Sequence, residues 1–467
     1  MECLQTVENS YRIINRFYFK FCAVNFMTNL KTLTMQAVNI ILIAVIVILS
    51  GLENTGIAIA QKQKQPKPEK PLLDDFSPNP LFTKEPDPLL PSPPPDGQVL
   101  GQSQQQILEP ELIKLNAEAT ALLATGNIPG AFELWNRELR IRRYFGLSQE
   151  IAALNRIGLI AWNNSQRLYI KFITERLDQI VQKLQTEKSD NFELWQSLGL
   201  TFKNVRAKKQ SLTVYQYLLE TANKSQDSLA EEQYSNEIAQ IYMMWLDYPN
   251  AAATYEKLLE LQQEIRAIKG DILPPQPQPA TPENPNPTPP ASEVRSLQQL
   301  SFIYEQIGEY LKAISVKERL AGYYAGQQNL LPIPEIKLGI GGNYEKLEQF
   351  EQAGATYQEA YSIATSIQQF DNASEALGRL GKLYRSQNQI KTALDIYQAQ
   401  VLVNQQTNNY YGMMNAYDQI GDIYLSQKAY QSAIAAFQQG LGLAQQLKYR
   451  EDYFVKKIDL ANRQMNR

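Results

Sequence analysis

In the C-terminal part of the chain, small residues recur at a fixed interval and a large ring follows each. Ser301, Gly341, Gly381 and Gly421 stand 40 residues apart, and three residues after each comes Tyr304, Tyr344, Tyr384 or Tyr424. Twelve residues after each small position is an alanine, Ala313, Ala353, Ala393 or Ala433. Four residues further the chain places Tyr357, Tyr397 and Phe437, but Lys317 in the first unit. The order small, ring, alanine, ring describes two antiparallel helices that touch where a side chain must be tiny, with a bulky ring filling the space beside the contact. The same register continues upstream at Ala239, Tyr242, Ala251 and Tyr255, and at Gly199, Phe202, Ser211 and Tyr215. Two drifted units precede these, Gly158 with Ala161, Ile170 and Thr174, and Ala119 with Leu122, Ala131 and Trp135. Each hairpin leaves one apolar face that only the next hairpin covers, so the pattern predicts an all-α solenoid of about eight antiparallel helix pairs.

After the last unit, Phe454, Val455, Ile458 and Leu460 alternate with Lys456, Lys457, Asp459 and Arg463, which predicts a solvating cap helix over residues 449–467. Two proline-rich stretches stand out, one before the array and one within it. Residues 61–110 contain Pro93-Pro94-Pro95 and little apolar periodicity, and read as a disordered linker. A second run inside 270–291 accounts for the one break in register, where the small positions Ala239 and Ser301 are 62 residues apart. An inserted loop between hairpins is the expected cause, since long exposed connections are tolerated. The solenoid proper is expected over 111–448.

The motif order over Glu109 to Lys448 resembles the tetratricopeptide repeat family, whose signature is small, aromatic, alanine, aromatic. The usual family period is about 34 residues, so the 40-residue period is similar to the longer-repeat branch found in kinesin light chains and bacterial peptide-sensing regulators. The resemblance implies a right-handed superhelix whose concave groove, lined by the first helix of each hairpin, binds protein or peptide partners. By helical spacing from the small positions, the groove candidates are Asn155, Trp162, Gln196, Asn236, Gln240, Met243, Gln298, Phe302, Lys382 and Arg385, with Asp418 and Asp422 at the charged C-terminal end. Gly158, Gly199, Gly341, Gly381 and Gly421, with Tyr344, Tyr384, Tyr424, Ala353, Ala393 and Ala433, are the packing set. The lysine and asparagine pair of the family's chaperone-tail clamp is absent from the corresponding positions.

Composition narrows the chemistry. The chain has no histidine, which removes the commonest general base and metal ligand. Its two cysteines, Cys3 and Cys22, precede an apolar run from Ala37 to Leu49 and a small-x-small pair, Ala58 and Ala60. Residues 1–60 therefore read as a cleaved signal peptide or a retained membrane anchor, with membrane association through 37–60. Gly339-Ile340-Gly341-Gly342 lacks the Lys-Ser/Thr of a phosphate loop and falls inside an expected helix. Net charge is −3, and the basic groups Arg137, Arg140, Arg142, Arg143 and Arg206, Lys208, Lys209 are too short for a nucleic-acid surface. The expected protein is thus a non-enzymatic scaffold or assembly factor with no cofactor, no bound metal and no nucleic-acid partner, exported to a periplasm-like space or tethered to a membrane. The alternative is a peptide-sensing or signalling regulator of the long-repeat type.

Overall fold

The computed structural model describes residues 78–83, 86–95, 97–272 and 291–466, all within one compact unit spanning 73–467. The expectations for residues 1–60, the start of the linker and the inserted proline run at 273–290 lie outside the described residues. Among the described residues there are seventeen α-helices, and no strand beyond a single bridge between Asp87 and Leu90. The helices form eight hairpins and a cap. They are α1 (Gln102–Ala124) with α2 (Ile128–Arg142), α3 (Leu147–Asn163) with α4 (Arg167–Thr186), and α5 (Phe192–Asn204) with α6 (Lys208–Ser225). Next come α7 (Ser228–Met244) with α8 (Tyr248–Ile272), α9 (Ala291–Ile307) with α10 (Tyr310–Gly326), and α11 (Ile333–Lys346) with α12 (Phe350–Ser366). The last are α13 (Phe370–Ser386) with α14 (Ile390–Gln406), α15 (Tyr410–Ser426) with α16 (Tyr430–Leu447), and the cap α17 (Glu451–Met465). Each helix packs on its neighbours in sequence, which is the arrangement of a solenoid. Every small position found in the sequence falls on a first helix, and the residue twelve positions on, alanine in six of the eight units, falls on the second.

The turns explain the long period. From Gln328 onward a residue with positive φ recurs every 20 positions: Gln328, Glu348, Gln368, Asn388, Asn408, Lys428 and Lys448. Each stands in the left-handed region just past a helix end, and the next amide bonds back across the last turn, as Gln369 N does to Ala364 O at 2.8 Å and Gln389 N to Tyr384 O at 2.8 Å. The 40-residue unit is thus two similar 20-residue modules. Helices α12 to α15 are each 17 residues long, so the residues beyond the shorter family period lengthen helices and not loops.

The tight helix contact falls at the glycines, and of the two rings in each unit it is the second that fills it. A Cβ built on Gly381 would lie 2.6 Å from the ring of Tyr397, and one on Gly199 would lie 2.9 Å from Tyr215. Gly341 meets Tyr357 and Gly421 meets Phe437 in the same way, more tightly still. The covering ring is therefore the second aromatic, on the partner helix, while Tyr344, Tyr384 and Tyr424 on the glycine's own helix are only half-buried. In the drifted second hairpin, where Thr174 replaces the ring, Gly158 instead receives Val205 from the next hairpin. The cap repeats the device, with the fully buried Phe454 of α17 seated on Gly440 of α16.

The N-terminal border differs from expectation. Helix α1 starts at Gln102 and carries Pro110 within it, and the described part of the preceding proline-rich stretch is docked on the solenoid. Asn79 is buried and donates to Phe172 O and Glu175 Oε2, both at 2.9 Å, while its own oxygen accepts from Leu81 N. Leu81 is fully buried, Arg143 donates to its carbonyl, and Arg137 grips Asp87 with two bonds of 2.8 and 3.0 Å. This strap joins the second helices of the first two hairpins, α2 and α4.

Two substitutions should move stability in opposite directions. Gly381→Ala forces a Cβ into the fully buried Tyr397 ring and should cost about 1–3 kcal/mol in denaturant unfolding. Gly322→Ala in α10, where nothing lies within 4 Å of the added atom, should gain about 0.5–1 kcal/mol by removing glycine's backbone freedom. Equal stability of Gly381→Ala and the parent would refute the ring-on-glycine account.

The covering rings also predict an alkaline limit. Burial pushes the Tyr397 phenol up to about 12, against a smaller downward pull from Arg385, and its hydroxyl has no hydrogen-bond partner. In the unfolded chain the phenol titrates near 10. The stability contributed by the neutral phenol is therefore whole below pH 10 and is lost as pH rises from 10 through about 12. Tyr397→Phe should leave stability at pH 7 unchanged or higher, since it removes an unsatisfied buried hydroxyl. The variant should also show a shallower decline above pH 10 in unfolding followed by circular dichroism.

Candidate partner-binding wall

First helices of successive hairpins approach one another directly, α3 against α5 and α11 against α13, whereas no pair of described second helices comes as close. First helices thus form a row with closer mutual approaches than the second helices have, and the candidates three before, one after and four after each small position are spaced along that row. Several candidates spend their polar atoms on the neighbouring first helix. Asn204 donates to Asn155 Oδ1 at 2.8 Å, joining α5 to α3, and Gln196 donates to the Tyr234 hydroxyl at 2.6 Å, joining α5 to α7. Lys203 reaches Glu237 at 2.5 Å and Gln240 at 3.4 Å across the same pair, and Arg385 donates to Gln419 at 3.0 Å between α13 and α15. Asn155, Gln196, Gln240 and Arg385 are thus rungs that hold the wall together.

The remaining candidates differ in how open they are. Asn236 is half-buried, and Met243, also half-buried, packs into the core formed by α7 to α10. Gln298 and Lys382 are exposed, and Phe302 is 44% exposed with its ring 6.1 Å from Tyr248 in an edge arrangement. Trp162 is 43% exposed, with the Arg206 guanidinium of the turn after α5 over its ring.

The charged C-terminal end is not open. Asp418 accepts from the Tyr453 hydroxyl at 3.1 and 3.0 Å and pairs with Arg450 at 3.3 Å, while Lys457 binds Asp422. Helix α17 thereby occupies the place a ninth first helix would take. Burial, followed by the nearby Asp422 carboxylate, holds Asp418 above the usual carboxylate range despite Tyr453, Lys457 and Arg450. No group of three or more metal-ligating side chains occurs among the described residues. The Gly339 to Gly342 run lies within α11 as helix packing.

Spacing alone passed over one residue. Lys317 stands where other hairpins carry the covering ring, and its ammonium pairs with Glu305 at 2.7 Å beside Ser301 and over Gly339. Without the ring, a cavity of about 460 Å³ opens between α9, α10, α11 and α13, lined among others by Gln298, Ser301, Lys317, Glu335, Gly339 and Arg379. The signal was the missing aromatic in an otherwise regular register.

A family model described as tetratricopeptide repeat matches residues 415–447, which span α15 and α16. Among curated proteins, none matches the sequence. Among solved structures the chain is similar to BtubC from P. vanneervenii, at 16% identity over 52% of this chain and 92% of that one, with a TM-score of 0.34. It is similar also to the apo form of RapI, at 10% identity over 76% and 98% of the two chains, with a TM-score of 0.36. A third is the C-terminal part of a TPR repeat-containing protein from Cytophaga hutchinsonii, at 12% identity over 62% and 95%, with a TM-score of 0.37.

One further outcome tests the cap. Lys457→Ala with Tyr453→Phe should loosen α17 and expose α15, read as faster amide exchange in α15 and α16 with α3 to α8 unchanged, because a solenoid couples only neighbours.

Proposed function

The chain is a tetratricopeptide-repeat protein, and from that premise we propose that it is a non-enzymatic scaffold or assembly factor, exported or held at a membrane, that captures segments of partner proteins along its wall of first helices. The fold is consistent with a protein-interaction role. The observation that carries the finer reading is the cavity at Lys317. It lies among the fifth to seventh hairpins, is lined by the exposed Gln298 of the helix that also carries the exposed Phe302, and is large enough for a partner side chain. Exposed aromatic area beside amide groups suits a peptide, because the ring supplies apolar burial while the amides pair with its backbone. The membrane or export address is supported by the apolar run from Ala37 to Leu49 and the pair Ala58 and Ala60. Among the described residues no helix is long and apolar enough to cross a membrane.

The experiment is capture of crosslinked partners on the C-terminally tagged chain in its native host, with mass spectrometry of the partners and of the chain's own N-terminus. Recovery of stoichiometric envelope or membrane-complex subunits is the expected result, and soluble regulatory partners alone would overturn the reading. Lys317→Tyr restores the missing ring and should fill the cavity, leaving the melting temperature equal or higher while partner recovery falls at least severalfold. Unchanged recovery from Lys317→Tyr would place partner binding elsewhere on the molecule.

A further inference from the structure

The turns joining first to second helices in the second, third and fourth hairpins gather on one edge. Arg206, in the turn after α5, has φ 63° and lays its guanidinium 5.0 Å from the ring centre of Trp162 and 6.0 Å from that of Trp245. One cation thus joins tryptophans from the hairpins on either side of its own. Trp162 is 43% exposed, and Met244 and Leu246, flanking Trp245, are 38% and 68% exposed. Leu246 occupies the tip of its turn, with φ 56°.

The charges around these side chains are mostly positive. Arg167 opens α4 and Lys209 lies in the first turn of α6, and both are exposed. Across residues 162–168, 203–209 and 243–249 the only acidic residue is Asp247, and Lys208 pairs with it at 2.8 Å. The corresponding turns of the next two hairpins, 305–311 and 345–351, carry Glu305, Glu309, Glu345, Glu348 and Glu351 against the single Lys346, so the basic stretch does not continue into them. Arg206, Lys208 and Lys209 are a short run in the sequence, and the fold adds to it Trp162 and Trp245 from the two neighbouring hairpins.

We propose that this edge docks on an anionic lipid bilayer, with Trp162 and Leu246 entering the interfacial layer and Arg167, Arg206 and Lys209 meeting headgroup phosphates. Tryptophan suits that layer because one end of its ring system is apolar and the other is wet. Each basic residue near the surface adds electrostatic attraction to anionic lipid. Protruding turn tips enter a soft surface without the matching cavity that a protein partner would need. The inference deepens the membrane-tethered reading and rests on it, since a tether through residues 37–60 would keep the edge near a bilayer.

Tryptophan fluorescence of the full chain tests it, using vesicles of phosphatidylcholine with or without phosphatidylglycerol, both with brominated acyl chains. Residues 1–60 contain no tryptophan, and Trp135 and Trp195 are 0% and 2% exposed, so quenching reports Trp162 and Trp245. The expected result is quenching on anionic vesicles, much weaker quenching on neutral ones, and loss of the effect when both residues are changed, Trp162→Phe and Trp245→Phe. Arg167→Glu with Lys209→Glu, both on exposed side chains, should raise the lipid concentration for half-quenching on the order of tenfold. Co-sedimentation with unquenched tryptophan would leave the tether standing and overturn the edge, as would a protein partner that alone protects these rings. Equal quenching on neutral and anionic vesicles would overturn the role of the cations. No association with either vesicle would overturn both readings.

Discussion

The contact of a ring with a glycine, made in the hairpins of Gly199, Gly341, Gly381 and Gly421 and again at the cap, is the constraint from which much of the rest follows. A helix pair can close to that distance only where one side contributes no Cβ, and the vacated volume must be filled by something flat and large. Tyr215, Tyr357, Tyr397 and Phe437 do this from the second helix, and Phe454 does it from the cap. Because the ring lies on the second helix and the glycine on the first, each contact sets the separation of the two helices and the angle at which the next hairpin arrives. Repeated down the chain, that geometry brings the first helices together and makes them the wall.

Much of this was legible because close packing leaves a periodic trace. The small and alanine positions placed all eight hairpins on the right helices, including the drifted pair at Gly158 and Ala119. What the trace could not show is which ring covers which glycine, since two rings share each unit and only contact geometry separates them. The turns were illegible for another reason. A left-handed residue usually announces itself as glycine, yet Gln368, Asn388 and Lys428 adopt it here, held by the amide that bonds back over the helix end. The strap was missed because a proline-rich stretch reads as linker, while its attachment depends on Asn79, Leu81 and Asp87 meeting partners 50 or more residues away in sequence.

The state of the candidate side chains was not legible in the sequence. Helical spacing put Asn155, Gln196 and Gln240 on first helices as groove candidates, and the structure joins each to a side chain of a neighbouring first helix. Whether an amide offers itself to a partner or bonds to the next helix depends on the neighbour's side chain, as the Asn155 and Asn204 pair shows. The same holds for Asp418 and Asp422, which look like the open end of the wall until α17 brings Arg450, Tyr453 and Lys457 onto them. Polar side chains on a repeat wall thus divide into those that set the stacking of hairpins and those left over for binding, and the division is made by their neighbours.

Lys317 shows how such a protein can open a site without losing its fold. In a globular core, replacing a buried ring with a lysine would leave a void and a charge that the whole structure must absorb. In a solenoid the consequence is confined to adjacent hairpins, because each unit's stability is shared mainly with its neighbours. Here the preceding hairpin keeps Tyr255 and the following one keeps Tyr357, both buried, so the weak unit is bracketed by complete ones. Its ammonium is neutralised by Glu305 within the same hairpin, and the small position carries serine, as though the glycine were no longer needed once the ring was gone. A break in the packing rule that is bracketed by complete units leaves unfilled volume at small cost to the fold, and that volume is what the proposed partner-binding reading draws on.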